Sequence, residues 1–120
     1  MRGKSNLIEV KLDGSRKITA EIADTLLKKS WGLSRRSEGK MLFVFIKPGR
    51  PAIDMMLVLE SLNLYFLDSD KQVVDTYLAE PWTLNPRTWR LYRPNKDSKY
   101  LLESFEDLDL EEGDSVDFSL

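Results

Sequence analysis

Ile8, Val10 and Leu12 occupy every second position, and Ile18, Ala20 and Ile22 repeat the spacing after Asp13-Gly14. A period of two marks a strand with one face buried. Asp-Gly supplies the positive φ angles of a tight turn, so residues 7–22 read as a β-hairpin, with Ser15-Arg16 able to lengthen its loop. The pattern then changes. Leu26, Leu27 and Trp31 fall at helical spacing, Asp24 or Thr25 can cap, and Gly32 can stop the element, which predicts a short helix near residues 25–31. A charged loop, Arg35-Arg36-Ser37-Glu38-Gly39, follows.

The longest apolar tract runs from Gly39 to Val58. Met41 to Ile46 is unbroken and rich in β-branched and aromatic residues, the pattern of a central strand buried on both faces. Lys47 to Pro51 is expected to turn the chain, and Ile53 to Leu59 to resume as a strand interrupted by one charge, Asp54. Leu62–Leu67 and Gln72–Tyr77 flank the turn Asp68–Lys71 and form a second hairpin. Pro81, Pro86 and Pro94 divide the next region, where Arg87 to Tyr92 is the best strand. Tyr100 to Ser104, an acidic connection at Asp107 to Gly113, and a terminal strand placing Val116, Phe118 and Leu120 on one face complete the chain. About eight short strands with one helix predict a mainly β fold, a small β-barrel or sandwich of jelly-roll-like form. Residues 1–120 form one domain, with 1–6 expected to be flexible.

Composition narrows the chemistry more than the fold. Cysteine and histidine are both absent. That removes thiolate nucleophiles, the usual nitrogen- and sulfur-bound metals and the commonest general base, so neither a metal nor another cofactor is expected. Positions 1–60 carry 12 basic and 7 acidic residues against 6 and 13 in positions 61–120, and no Lys or Arg follows Glu103. With a net charge of −2, this asymmetry reads as halves that neutralise each other. No run approaches the ~18 apolar residues of a membrane span, and MRGKSNLIEV lacks the apolar core of a signal peptide. The expected location is cytoplasmic.

Ser37-Glu38-Gly39-Lys40 matches a Ser-x-x-Lys nucleophile, but Gly39 and the strand behind it deny the helical turn that chemistry needs. Asp68-Ser69-Asp70 begins like a calcium loop, yet Val73 and Ala79 stand where Gly and Glu belong, so a solvated turn is the better reading. Arg87-Thr88-Trp89-Arg90-Leu91-Tyr92-Arg93 interleaves cations with aromatics, as a surface that stacks sugars or bases does. The simpler alternative puts Trp89 and Leu91 in the core with Arg stems at the rim. Asp54, set in apolar sequence, must face solvent, a cavity or a cation.

Several blocks resemble the prokaryotic family known as domain of unknown function 192, in its archaeal form. They are Glu21-Ile22-Ala23-Asp24-Thr25 with Gly32-Leu33-Ser34-Arg35-Arg36, Gly39 to Phe45 with Pro48-Gly49-Arg50, and Met55 with the Leu62 to Asp68 hairpin. Leu84 to Pro94, Tyr100 to Glu103 and Glu112-Gly113-Asp114 complete the match. Where other members carry Trp, Lys and Asn around the methionine, this chain has Asp54, Met56 and Leu57. The resemblance implies a small, largely β domain of no established activity, with a binding role as its only functional hint.

The leading expectation is therefore a non-catalytic module for a small polar ligand, in particular a carbohydrate. Arg35, Arg50, Asp54, Trp82, Trp89, Arg90 and Tyr92 are the candidate ligand-binding residues, and no catalytic residue is assigned. Two other classes stand beside it. One is a single-stranded RNA binder using Arg87 to Arg93, which the acidic balance disfavours; the other is a hydrolase pairing Asp54 with Glu103, which requires the carboxylates within about 10 Å of each other.

Overall fold

The computed structural model describes residues 7–12, 16–23, 38–56 and 58–120. The helix expected near residues 25–31, and Arg35, lie outside them. Six strands are present among the described residues: β1 (Leu7–Lys11), β2 (Lys17–Ala23), β3 (Lys40–Gly49), β4 (Leu62–Leu67), β5 (Val73–Ala79) and β6 (Ser98–Ser104). They form one sheet in the order β1-β2-β3-β6-β4-β5, so the last strand in sequence sits in the middle. Both expected hairpins are antiparallel, with Val10 opposite Ile18 and Leu64 opposite Tyr77. β2 and β3 run parallel, and β6 is antiparallel to β3 and to β4.

Side chains alternate across the sheet and create two apolar layers, the sandwich-like arrangement of a mainly β domain. One layer takes Met41, Phe43 and Phe45 of β3, Leu62, Leu64 and Phe66 of β4 and Leu101 of β6, covered by Ile53, Met55, Val58 and Tyr92. The other takes Ile8, Val10, Ala20, Leu42, Tyr65, Leu67, Tyr100 and Leu102, covered by Leu108, Leu110, Val116 and Phe118. The uninterrupted apolar run of β3 is explained by this double burial. Phe43 and Leu42, adjacent in sequence, are both buried and serve opposite layers.

Four expected elements take a different form. β3 does not end at Ile46 but continues to Gly49 through a bulge, its pairing passing from Val44 opposite Tyr100 to Gly49 opposite Ser98. Lys99 donates its ammonium hydrogens to the carbonyls of Phe45 (2.6 Å) and Ile46 (2.9 Å), carbonyls the displaced ladder leaves available. Ile46 is consequently 91% exposed. The stretch Ile53 to Leu59 lies over the sheet as a cover, joined to Tyr92 by one isolated bridge, because its apolar residues fill the layer. Arg87 to Tyr92 is likewise no strand: Pro86 opens a 3-10 turn, Pro86–Thr88. The terminal segment makes only isolated bridges, Ser115 with Gln72 and Asp117 with Lys11, which touch both outer strands of the sheet without closing it into a barrel.

Candidate ligand groove

The segment from Pro81 to Pro94 has its own hydrogen-bonding logic. Asn85 caps the 3-10 turn, its side-chain oxygen accepting from the Arg87 N–H at 3.0 Å, and Pro86 occupies a position where no N–H is needed. The Thr88 hydroxyl donates to the Asn85 carbonyl at 2.7 Å and accepts from the Thr83 N–H at 2.8 Å, while the Thr83 hydroxyl accepts from the Asn85 N–H at 3.1 Å. Short polar side chains thus close a turn that no strand pairing supports.

This scaffold fixes two indoles. Trp82 donates its ring N–H to the Arg90 carbonyl at 2.9 Å and Trp89 donates to the Thr83 carbonyl at 2.8 Å. Their rings stack with centroids 6.1 Å apart and planes 28° from parallel. With both donors engaged, the rings offer their faces and not their N–H groups. They line an open groove of about 560 Å³ with Met56, Thr83 and Leu84. Leu84 is 99% exposed and Trp89 52%, an unusual commitment of apolar surface to water in a segment so thoroughly hydrogen-bonded.

The candidate residues separate around this groove. Trp82 and Trp89 form it. Arg90 is exposed and its guanidinium lies 5.7 Å from the centroid of the Tyr92 ring. Tyr92 itself is core: only 4% exposed, it packs edge-on against Tyr77 and its hydroxyl accepts from the Glu80 N–H at 3.1 Å. The reading that put Trp89 and Leu91 inside is therefore reversed, because the segment is not extended and strand alternation does not apply. Asp54 turns its carboxylate onto the Met56 N–H at 3.1 Å, a local turn. Arg50 is held elsewhere, donating to the Pro94 carbonyl at 2.8 Å. Glu103, the carboxylate paired with Asp54 in the hydrolase reading, is buried within β6 opposite Met41 and Leu64.

Met56, Thr83 and Leu84 were not anticipated in the groove. The legible signal was Thr83-x-Asn85-Pro86-x-Thr88, a run of turn-closing residues that announces a structured loop and not a strand.

Two phenols show altered acidity. Burial pushes Tyr65 up to about 12; the Leu108 N–H on its oxygen pulls the other way, and Asp107 adds to the rise. Tyr77 is also raised, first by burial and then by Asp75, while its hydroxyl donates to the Arg93 carbonyl at 2.7 Å. Neither borders the groove. A second concavity of about 500 Å³, lined in part by Asp68, Gln72, Lys96 and Glu112, has no aromatic wall. No cluster of three acidic residues suited to a metal occurs among the described residues. No helix among them is long and apolar enough to cross a membrane.

A family model for domain of unknown function 192, described as "Uncharacterized ACR", matches residues 8–118. A UPF0127 protein of Thermococcus sibiricus is 33% identical over 108 residues, which is 83% of this chain and 66% of that protein. One from Pyrococcus abyssi is 36% identical over 87 residues, 69% of this chain and 68% of that protein. The chain thus spans about two-thirds of the length of these relatives. Among solved structures, "a putative transcription regulator" from Sinorhizobium meliloti 1021 aligns with a TM-score of 0.81 at 20% identity over 98% of both chains. A protein of unknown function from Novosphingobium aromaticivorans DSM 12444 aligns at 0.75, also with 20% identity, over 92% of this chain and 84% of that one. These two likenesses are of fold.

Proposed function

The chain belongs to the domain of unknown function 192 family, and from that premise we propose that it is a non-catalytic binding module whose groove receives a saccharide. The reading is carried by the stacked Trp82–Trp89 pair, whose N–H groups are spent on backbone carbonyls and whose rings line the open groove. The apolar face of a pyranose ring stacks on such a surface, and aromatic walls fixed before binding lower the ordering cost of association. Thr83 and Met56 at the margin add one hydroxyl and an adaptable thioether.

Amide chemical-shift mapping against a panel of neutral and acidic oligosaccharides tests the reading. Shifts should centre on Met56 and on Trp82 to Trp89, and Trp89→Ala should abolish them. Shifts elsewhere, or none across the panel, would overturn it.

Single-stranded RNA is the second reading, favoured by exposed Arg87, Arg90 and Arg93 around exposed Trp89. The fold shared with a protein called a transcription regulator is compatible with it but is likeness of fold alone. Phosphate contacts would make affinity fall steeply with salt, whereas a neutral sugar would be held almost equally at low and high salt.

A further inference from the structure

We propose that the saccharide carries an acidic group, a carboxylate or another oxyanion, held by Arg87 and Arg90 while its ring stacks on Trp89. This rests on the saccharide reading and adds charge to it.

From Pro81 to Lys96 the chain contains no acidic residue and four cations, Arg87, Arg90, Arg93 and Lys96, in a protein whose net charge is −2. A cationic surface on an acidic protein attracts anions selectively to that place. Arg87 and Arg90 flank Trp89 in sequence, and both are exposed. Their backbones are fixed by the turn, since the Arg87 N–H is bound by Asn85 and the Arg90 carbonyl accepts from Trp82. Asp54, two residues before Met56, accepts from the Met56 N–H, and Glu80, beside Pro81, accepts from the Ser61 hydroxyl at 2.8 Å.

The residue type narrows the ligand further. The three cations nearest Trp89 in sequence are arginines, whose planar fork matches a carboxylate or sulfate with two parallel hydrogen bonds. Lys96 stands apart, 4.0 Å from Glu112 in the other concavity.

The test uses titration calorimetry with four probes: a galacturonate trimer, a sulfated galactose trimer, the neutral galactose trimer and adenosine monophosphate. At low salt at least one acidic trimer should bind about tenfold more tightly than the neutral one, the scale of one charge-assisted hydrogen bond. Arg87→Ala with Arg90→Ala should bring acidic and neutral trimers within about twofold, while Lys96→Ala, which removes one positive charge at a distance, should leave the tenfold preference in place. Equal binding of acidic and neutral trimers, abolished by Trp89→Ala, would overturn the acidic preference and leave the saccharide reading standing. Absence of binding by every trimer, or binding indifferent to Trp89→Ala, would overturn both. Binding of adenosine monophosphate in preference to both acidic trimers would overturn the proposal in favour of a nucleotide.

Discussion

Two irregular segments cover the two faces of the sheet, and they treat their apolar side chains in opposite ways. Residues 105–118 are acidic, yet bury Leu108, Leu110, Val116 and Phe118 under one layer. Residues 81–94 are basic and bury Tyr92, yet leave Leu84, Trp89 and Leu91 in water. Hydrogen bonding does not explain the difference, because both are well secured. In the first, the Tyr65 hydroxyl accepts from the Leu108 N–H at 2.8 Å and Lys71 donates to the Phe118 carbonyl at 2.6 Å. In the second, the loop secures itself through Thr83, Asn85 and Thr88. The first segment spends its apolar residues on the fold. The second keeps its shape by polar means and leaves apolar surface for something outside the molecule.

That contrast can be broken experimentally, beginning with the largest expected effect. Phe118→Ala should cost about 3–5 kcal/mol in chemical denaturation, comparable to Phe43→Ala in the central strand, since both remove a buried ring. A loss below about 1 kcal/mol at Phe118 would show that the acidic segment is ornamental. Tyr65→Phe should cost about 1–3 kcal/mol, because it leaves the buried Leu108 N–H without its acceptor.

The same phenol gives a pH signature. Its folded acidity lies at about 12 against an ordinary 10.0, so the neutral form is favoured by folding. Its contribution is complete below an ordinary tyrosine's range and is lost as pH climbs from about 10 through about 12. Denaturation midpoints across that window should fall more steeply in the wild type than in Tyr65→Phe. Parallel curves would remove Tyr65 as the cause.

Effects in the basic segment should be smaller. Trp89→Ala is expected to cost about 1 kcal/mol, since half its ring is already in water. Leu84→Ser should change stability by less than about 0.5 kcal/mol, a substitution of one solvated side chain for another. A loss above about 2 kcal/mol at Leu84 would place it in the fold's own packing and end the contrast.

What the sequence disclosed follows the range of its signals. β1, β2 and the β4–β5 turn were readable because period two and turn chemistry are local, and Ile8, Val10 and Leu12 are buried as the alternation requires. The unbroken run at Met41 identified a doubly covered strand. Failures came where tertiary context decided the outcome. Ile53, Met55 and Val58 look like a strand but pack as a lid over the face, which no local pattern distinguishes. Trp82 and Trp89 were named as binding residues, but their meeting depends on a 3-10 turn at Pro86 that the interleaved Arg and aromatic residues concealed. Tyr92, a candidate ligand-binding residue by sequence, is core for the same reason.

The central position of β6 has a consequence for how the chain is made. Its neighbours β3 and β4 belong to two halves that each have local partners, but among the described residues no strand pairing joins the halves until residues 98–104 are available. During synthesis the ribosome must therefore release nearly the whole described sequence before the sheet can be completed. Until then β3 and β4 each present a naked apolar edge, the kind that recruits strands from other nascent chains. Contacts so distant in sequence also make completion slow relative to hairpin closure. The interval before β6 docks is thus when the molecule most needs a chaperone, and slowing translation just upstream of Ser98 would lengthen it.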